Sequence, residues 1–297
     1  MSRQPEVVSS GLLRGWELPG HGGDKESNGR VLVVGGNVRM PGGVVLAAEA
    51  ALRAGAGKLQ IATVEPLAVP MAMAIPEAYV AGLPADDEGN LAPEAADEIV
   101  DLAQGCAAVL LGPGVMSPEA SVALLEQVVP RLDVPVVIDA LGMAYLTEHQ
   151  DGVQHLDGRV ILSPNTSELA HTLGEDDDAV SEDPIGASLR LARRAGAVVV
   201  SGASTTYVTT PGTRATADLW AVQTGGEGMA VSGSGDVKAG VLVGLLGRGA
   251  EPAQAGVWGA YVHGRAGERL VAVHGRRGFL ARELLAEIPR ALAELDG

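Results

Sequence analysis

Short runs of continuously apolar residues recur along this chain, separated by longer stretches in which apolar positions return every three or four residues. RVLVVGG (30–36), KLQIATV (58–64), AAVLLG (107–112), VPVVIDA (134–140), RVILSP (159–164) and AVVVSG (197–202) are of strand length. A strand with one wet face alternates apolar and polar residues, so runs without alternation belong to strands buried on both faces. Segments at about 92–104, 117–130, 140–148, 166–173 and 184–195 have helical periodicity, and GVVLAAEAALRAGA (43–56) is a small-residue helix closed by Gly55 and Gly57. This alternation predicts an α/β fold, a three-layer αβα sandwich around a mostly parallel central sheet. TTYVTT (205–210) and TRATAD (213–218), split by Pro211-Gly212, predict an antiparallel hairpin. Helices over 236–247, 252–272 and 278–293 complete the pattern. No low-complexity linker or repeat divides the chain. The expectation is one domain over 30–297 behind a looser N-terminal segment, 1–29.

Composition narrows the partners more than the fold. At 297 residues and 46% hydrophobic, the chain suits one large unit with a full core, filled by Val, Leu, Ala and Ile because aromatics are only 3%. A net charge of -16, from 37 acidic against 21 basic residues, argues against nucleic acid and anionic membrane as partners. It leaves room for an anionic nucleotide, since a local hole of backbone N–H groups acts against the global field. The single Cys106 makes no internal disulfide and reads as a buried strand-entry residue. The start, MSRQPEVVSS, lacks the regions of a signal peptide, and no apolar stretch reaches the roughly 20 residues of a membrane span. A soluble, cytoplasmic protein is expected.

In an open parallel sheet, ligands bind beyond the carboxyl ends of the strands. Those ends read GGNVRMPGG (35–43), GPG (112–114), DALG (139–142), SPNTSE (163–168) and SGAST (201–205), which predicts a long polar cleft along one edge. The most informative segment is TGGEGMAVSGSGDVKAGVLVGLLGRG (224–249). Gly233 and Gly235 let a ligand approach the backbone closely around Ser234. The helix that follows offers unpaired N–H groups and the positive end of its dipole, a setting for a terminal phosphate. Asp236 beside it is placed to take the proton from an attacking hydroxyl. The plainer alternative makes Asp236 an N-cap after a Gly-rich turn, but that turn is far longer than a cap requires.

Other candidates carry less. His263, within YVHGRAGERL, reads as a packed or interface residue, and the six histidines show no metal-ligand spacing. GGNVRMPGG matches neither the Rossmann nor the Walker pattern. The acidic run GEDDDAVSED (174–183) reads as a solvated loop. Neither Ser232 nor Ser234 has an assignable base.

Taken in order, GGNVRMPGG, LAAEAALRAGAG (46–57), GPG, IDA (138–140), SPNTSE and TGGEGMAVSGSGDVKAG (224–240) resemble the NAD(P)H-hydrate dehydratase family over about residues 25–293. Gly-Ser-Gly-Asp is shared with other small-molecule kinases; GAGKLQIAT (55–63) and GMAVSGSGD (228–236) narrow the resemblance. It implies a ribokinase-like fold and an enzyme that uses ADP or ATP, with Mg²⁺, to phosphorylate the added hydroxyl of the S-form of hydrated NADH or NADPH. Loss of phosphate then regenerates the cofactor. By the same resemblance, Gly43, Gly114, Asn165 and Asp236 line the hydrated dinucleotide, with Asn165 where the family usually has His. Ser201, Gly202, Ala203, Ser204 and Thr205 match the adenine-nucleotide loop together with Gly235. Gly233, Ser234 and Gly235 form the phosphate hole, Asp236 is the base, and Glu168 is the acidic position that organises Mg²⁺ indirectly. His21 matches a short His-containing N-terminal segment.

The resemblance also implies ADP as the donor, a homo-oligomer and no fused epimerase domain. The chain departs from the family at Ser201 (usually Lys), Leu141 (Asp), Gly226 (Asn) and Lys238 (Leu). Two further expectations stand beside the leading one: a hydroxymethylpyrimidine- or hydroxyethylthiazole-type kinase, whose phosphorylated product accumulates, and a nucleotide-binding homologue with reduced catalysis.

Overall fold

The computed structural model describes residues 4–20 and 28–295; His21 and Lys25 lie outside them. In chain order the elements are β1 (Glu6–Val7), α1 (Ser10–Arg14), β2 (Arg30–Val34), α2 (Gly42–Arg53), β3 (Lys58–Val64), α3 (Glu65–Ala74), β4 (Ala78–Leu83) and α4 (Ala96–Ala103). Then come β5 (Ala108–Leu111), α5 (Pro118–Val128), β6 (Val136–Ile138), α6 (Met143–Glu148), β7 (Val160–Leu162), α7 (Thr166–Leu173), α8 (Asp177–Glu182) and α9 (Pro184–Ala195). The last are β8 (Val198–Gly202), β9 (Thr206–Thr209), β10 (Leu219–Val222), α10 (Ser234–Gly247), α11 (Pro252–His274) and α12 (Ala281–Ala293).

Among the described residues the strands form one sheet in the order β1-β10-β9-β8-β7-β6-β5-β2-β3-β4. From β8 to β4 every pairing is parallel, and only β9 runs antiparallel to both its neighbours. The continuous apolar runs are thereby explained. Val31 and Val33 bury into one core with α2, α10, α11 and α12, while Leu32 and Val34 bury into the other with α4 to α9. The expected three-layer sandwich with a mostly parallel sheet is what forms. None of its described helices is long and apolar enough to cross a membrane.

Three local expectations differ. The partner of β9 is LWAV in β10, not residues 213–218. In that run the Thr216 hydroxyl accepts from Thr213 N at 2.9 Å and Ala217 N donates to Thr213 O at 2.8 Å, so local side-chain bonds turn the chain before it extends. The acidic run includes a short helix, α8, which starts without a side-chain cap and has two acidic residues in its first turn. Residues 65–83, to which the sequence assigned no element, form α3 and β4. The first of the two prolines in α3, Pro66, falls in the first turn, where a missing N–H breaks no intrahelical bond.

The leading residues are also less loose than expected. Glu6 and Val7 pair with Trp220 and Ala221, and Leu13 is buried. Trp16 stacks on Trp220 at 5.6 Å, while its carbonyl accepts from Trp258 Nε1 at 2.9 Å. Aromatic area and a satisfied indole N–H pin the segment to α11.

α2 and α10 decide where the site forms. They lie side by side and run in the same direction, in fixed register. A Cβ on Gly240 would lie 2.2 Å from Ala47 O, one on Gly244 2.5 Å from Ala51 O, and one on Gly43 3.0 Å from Asp236 Oδ1. Each of these pairs is separated by the same number of residues. Glycine lets the two backbones touch, so the start of α10 is fixed against the start of α2 by the core itself.

Candidate active site

The carboxyl ends of β8, β7, β6, β5 and β2 are consecutive in the sheet, so the five polar segments named above share one edge. At the β2 end, Gly36 N donates to Pro113 O at 2.9 Å, joining the 35–43 segment to the GPG turn. That segment is held from outside by the buried Asn37. Its Nδ2 donates to Glu88 O at 3.0 Å and Asn90 Oδ1 at 2.8 Å, and its Oδ1 accepts from Arg39 N at 2.9 Å. Nothing in the sequence around 84–92 pointed to this bracket, because a long-range amide pair leaves no periodic trace.

Gly43, Gly114 and Asp236 meet. A Cβ on Gly43 would stand 2.8 Å from Gly114 N and 3.0 Å from Asp236 Oδ1, so any side chain there would fill the junction. Gly233, at φ 88°, is the residue before α10 and makes no side-chain cap. A Cβ on Gly235 would meet no atom within 4 Å; packing does not require that glycine, and it leaves open space at the helix start. Ser234 N donates to Val231 O at 3.1 Å, while the N–H groups of Gly235 and Asp236 start the helix without a capping side chain from the preceding residue.

The start of α7 is built in the opposite way. Asn165 Oδ1 accepts from Glu168 N at 2.9 Å, and Glu168 Oε2 accepts from Asn165 N at 2.8 Å, a reciprocal capping box. The amide oxygen of Asn165 and one carboxylate oxygen of Glu168 are thus engaged within the chain. Beside them lies a cleft of about 240 Å³ lined by Ala140, Leu141, Ser167, Glu168 and His171, with Leu141 an apolar wall.

Ser201 is buried at the end of β8, and Ala203 and Ser204 are exposed on the turn into β9. Gly202 has φ 144°, and a Cβ there would lie 2.1 Å from Thr205 O, so this hairpin needs glycine. A separate cleft of about 280 Å³ is lined by Gly225, Gly226, Gly228, Val271 and Arg276.

Charge is concentrated where the strands β6 and β7 meet α10. Burial pushes the Asp236 carboxyl up to about 6, and the charge of Glu168 adds to the rise. Burial raises Asp139 to about 7; Lys238 opposes the shift, while Glu168 and Asp236 reinforce it. Burial lowers Lys238 against the pull of Asp139 and Glu168. Asp139 is followed by Ala140 at φ 50°, a left-handed conformation that costs a residue with a Cβ about 1 kcal/mol or more and clusters at functional sites. The left-handed conformation of that alanine was not visible in the sequence.

Ser234, for which the sequence offered no partner, has a hydrogen-bonding one. Its Oγ lies 3.1 Å from His263 Nε2 on α11. Burial first, and the Lys238 charge second, lower that imidazole to about 3, so it stays neutral at ordinary pH. His263 is partly buried against the helix start, as a packed residue, but its ring nitrogen orients a hydroxyl of the cleft.

A family model described as NAD(P)H-hydrate dehydratase matches residues 31–290. The ADP-dependent (S)-NAD(P)H-hydrate dehydratase of Xanthomonas campestris is 38% identical over 290 residues, covering 97% of this chain and 96% of that protein. The chain spans about half the length of bifunctional NAD(P)H-hydrate repair enzymes that it also matches, 51% of the one from Moorella thermoacetica at 33% identity. Among solved structures, a ribokinase-like superfamily protein from Enterococcus faecalis superposes with a TM-score of 0.82 at 20% identity, covering 98% of this chain and 96% of that one. The Bacillus subtilis ADP/ATP-dependent NAD(P)H-hydrate dehydratase, co-crystallized with ATP/Mg²⁺, superposes with a TM-score of 0.81 at 24% identity, covering 98% and 99%. Both share the fold of this chain, which is ribokinase-like.

Proposed function

The chain belongs to the NAD(P)H-hydrate dehydratase family, and from that premise we propose that it repairs the S-form of hydrated NADH and NADPH with ADP as phosphoryl donor. The observation that carries the proposal is the meeting of Gly43, Gly114 and Asp236 at the uncapped start of α10. A hydroxyl lying against the close-packed Gly43–Gly114 junction would reach the carboxylate and the free N–H groups together. The name of the Xanthomonas campestris relative supports ADP over ATP.

Asp236 takes the proton of the substrate hydroxyl as its oxygen attacks the β-phosphorus of ADP; the P–O bond to AMP breaks, and AMP leaves. The N–H groups of Gly233 and Gly235 hold the oxygens of the transferred phosphoryl group, that of Ser234 being donated to Val231 O. Phosphate then departs with the C–O bonding electrons, and loss of a ring proton restores the C=C bond of the dihydronicotinamide. Gly43 and Gly114 give the dinucleotide room, Asn165 borders it, and Ser201 to Thr205 hold the adenine nucleotide.

Among the described residues no three His, Cys, Asp or Glu side chains converge as a metal cage. Glu168 keeps one carboxylate oxygen outside its cap. That donor set suits Mg²⁺ held chiefly by water and nucleotide phosphates, with Glu168 and Asp139 acting at a distance. When bound, the ion would neutralise phosphate charge. A homo-oligomer and a cytoplasmic setting belong to the same proposal. Exposed Val69, Met73 and Tyr79 near the outermost strand β4 support the first, and the lone thiol of Cys106 supports the second.

The test is recovery of NADH absorbance from its hydrate, supplied with ADP and then ATP. Recovery with ADP is expected. A phosphorylated product that accumulates without elimination would make the protein a small-molecule kinase, and folded protein inactive with both nucleotides would overturn the assignment.

A further inference from the structure

Within α10, whose sequence is SGDVKAGVLVGLLG, only Asp236 and Lys238 are charged. Asp236 has a role above; Lys238 has none, although the helix is otherwise buried along nearly its whole length. Side chains on a helix lean toward its N-terminus, so the stem of Lys238 carries its ammonium back toward the turn of Ser234 and Gly235. Ser234 lies four residues earlier on the same face and bonds His263. The Lys238 charge acts on that His263, and on Asp139 at the end of β6.

Yet among the described residues Lys238 makes no hydrogen bond and no ion pair. A half-buried ammonium is costly unless something compensates it. Asp139 and Glu168 lower that cost without closing on it, which leaves three N–H donors for an incoming oxygen. The segment Ser201 to Thr205 carries no cation. Arg39 is exposed on the loop after β2, and Arg276 opens on the cleft at Gly225 and Gly226. Neither shares the helix start.

We infer that Lys238 is a phosphate-binding residue of this site, donating to the transferred phosphoryl group from the same helix whose first N–H groups cradle it. The inference rests on the nucleotide-dependent function proposed above. It makes the start of α10 a single device with a base, a hole and a cation within six residues, 233–238. The positive charge that phosphate needs is supplied from under the site instead of from the hairpin beside it.

The experiment is calorimetric titration of ADP and AMP into wild type, Lys238→Met and Lys238→Arg, with Mg²⁺ and with a chelator. Met matches the Lys stem and tolerates burial; melting curves confirm that each variant is folded. Loss of a charge-assisted contact should weaken ADP by about tenfold or more in Lys238→Met and by less than about threefold in Lys238→Arg. AMP, which lacks the transferred group, should bind all three alike. A lowered melting temperature with ADP affinity unchanged would make Lys238 a structural counter-charge and overturn the inference. Wild type that binds neither ADP nor ATP would overturn the nucleotide-dependent function itself, and this inference with it.

Discussion

Two helices begin at the same edge of the sheet, and they treat their free backbone groups in opposite ways. α7 satisfies its own start with the Asn165–Glu168 box. α10 begins after a left-handed glycine, has no side-chain cap, and leaves space above Gly235. The first is a finished helix terminus; the second is finished only by a ligand. Both are rich in the residues that sequence patterns associate with function, so composition alone does not separate them. What separates them is whether the polar side chains turn inward on the backbone or leave it open.

The largest effect should come from breaking the open end. Asp236→Asn removes the base while keeping the shape, and kcat for hydrate repair should fall by about 10²- to 10⁴-fold with the protein still folded. Circular dichroism and the absorbance assay check both halves of that statement.

A smaller effect would sharpen the link between the two ends. Asp236 must be ionised to accept a proton, and its carboxyl stands at about 6. kcat/KM should therefore drop about tenfold per pH unit below 6 and level off above it. Glu168→Gln still has a side-chain oxygen to close the α7 cap, but removes the charge that helps raise Asp236. The acidic limb of the pH profile should then move downward. An unmoved limb would show that the two helix starts do not communicate.

The smallest effect belongs to the closed end. Asn165→Ala should cost about 1 kcal/mol of stability by denaturant titration, and Asn165→Asp, which can still cap, should recover most of it.

Much of this was legible in advance. The doubly buried strands show as unbroken apolar runs, and the helices over 166–173 and 184–195 show by their periodicity, so the layers and the ligand-binding edge followed. The glycines of 233–235 and Asp236 were legible because they are local. His263 was not: its partner Ser234 is 29 positions away, and only the packing of α11 on α10 brings them together. The 213–218 run misled because threonines favour strands by propensity yet bonded their own backbone here. Asn165 and Glu168 were read as ligand-facing, and their mutual cap was hidden in the same Asn-x-x-Glu spacing that signals a capping box.

The fixed register of α2 against α10 has an electrostatic side. Each helix carries roughly half a positive charge at its N-terminal end, and running in parallel they set like poles next to each other at Gly43 and Asp236. Their glycine and alanine contacts prevent the pair from sliding to relieve that repulsion. The empty protein thus carries a small, built-in frustration at its cleft, held by the core as a compressed spring is held by its casing. An anion placed between the poles releases it, so part of the affinity for a phosphorylated ligand is prepared during folding, far from the ligand and before it arrives.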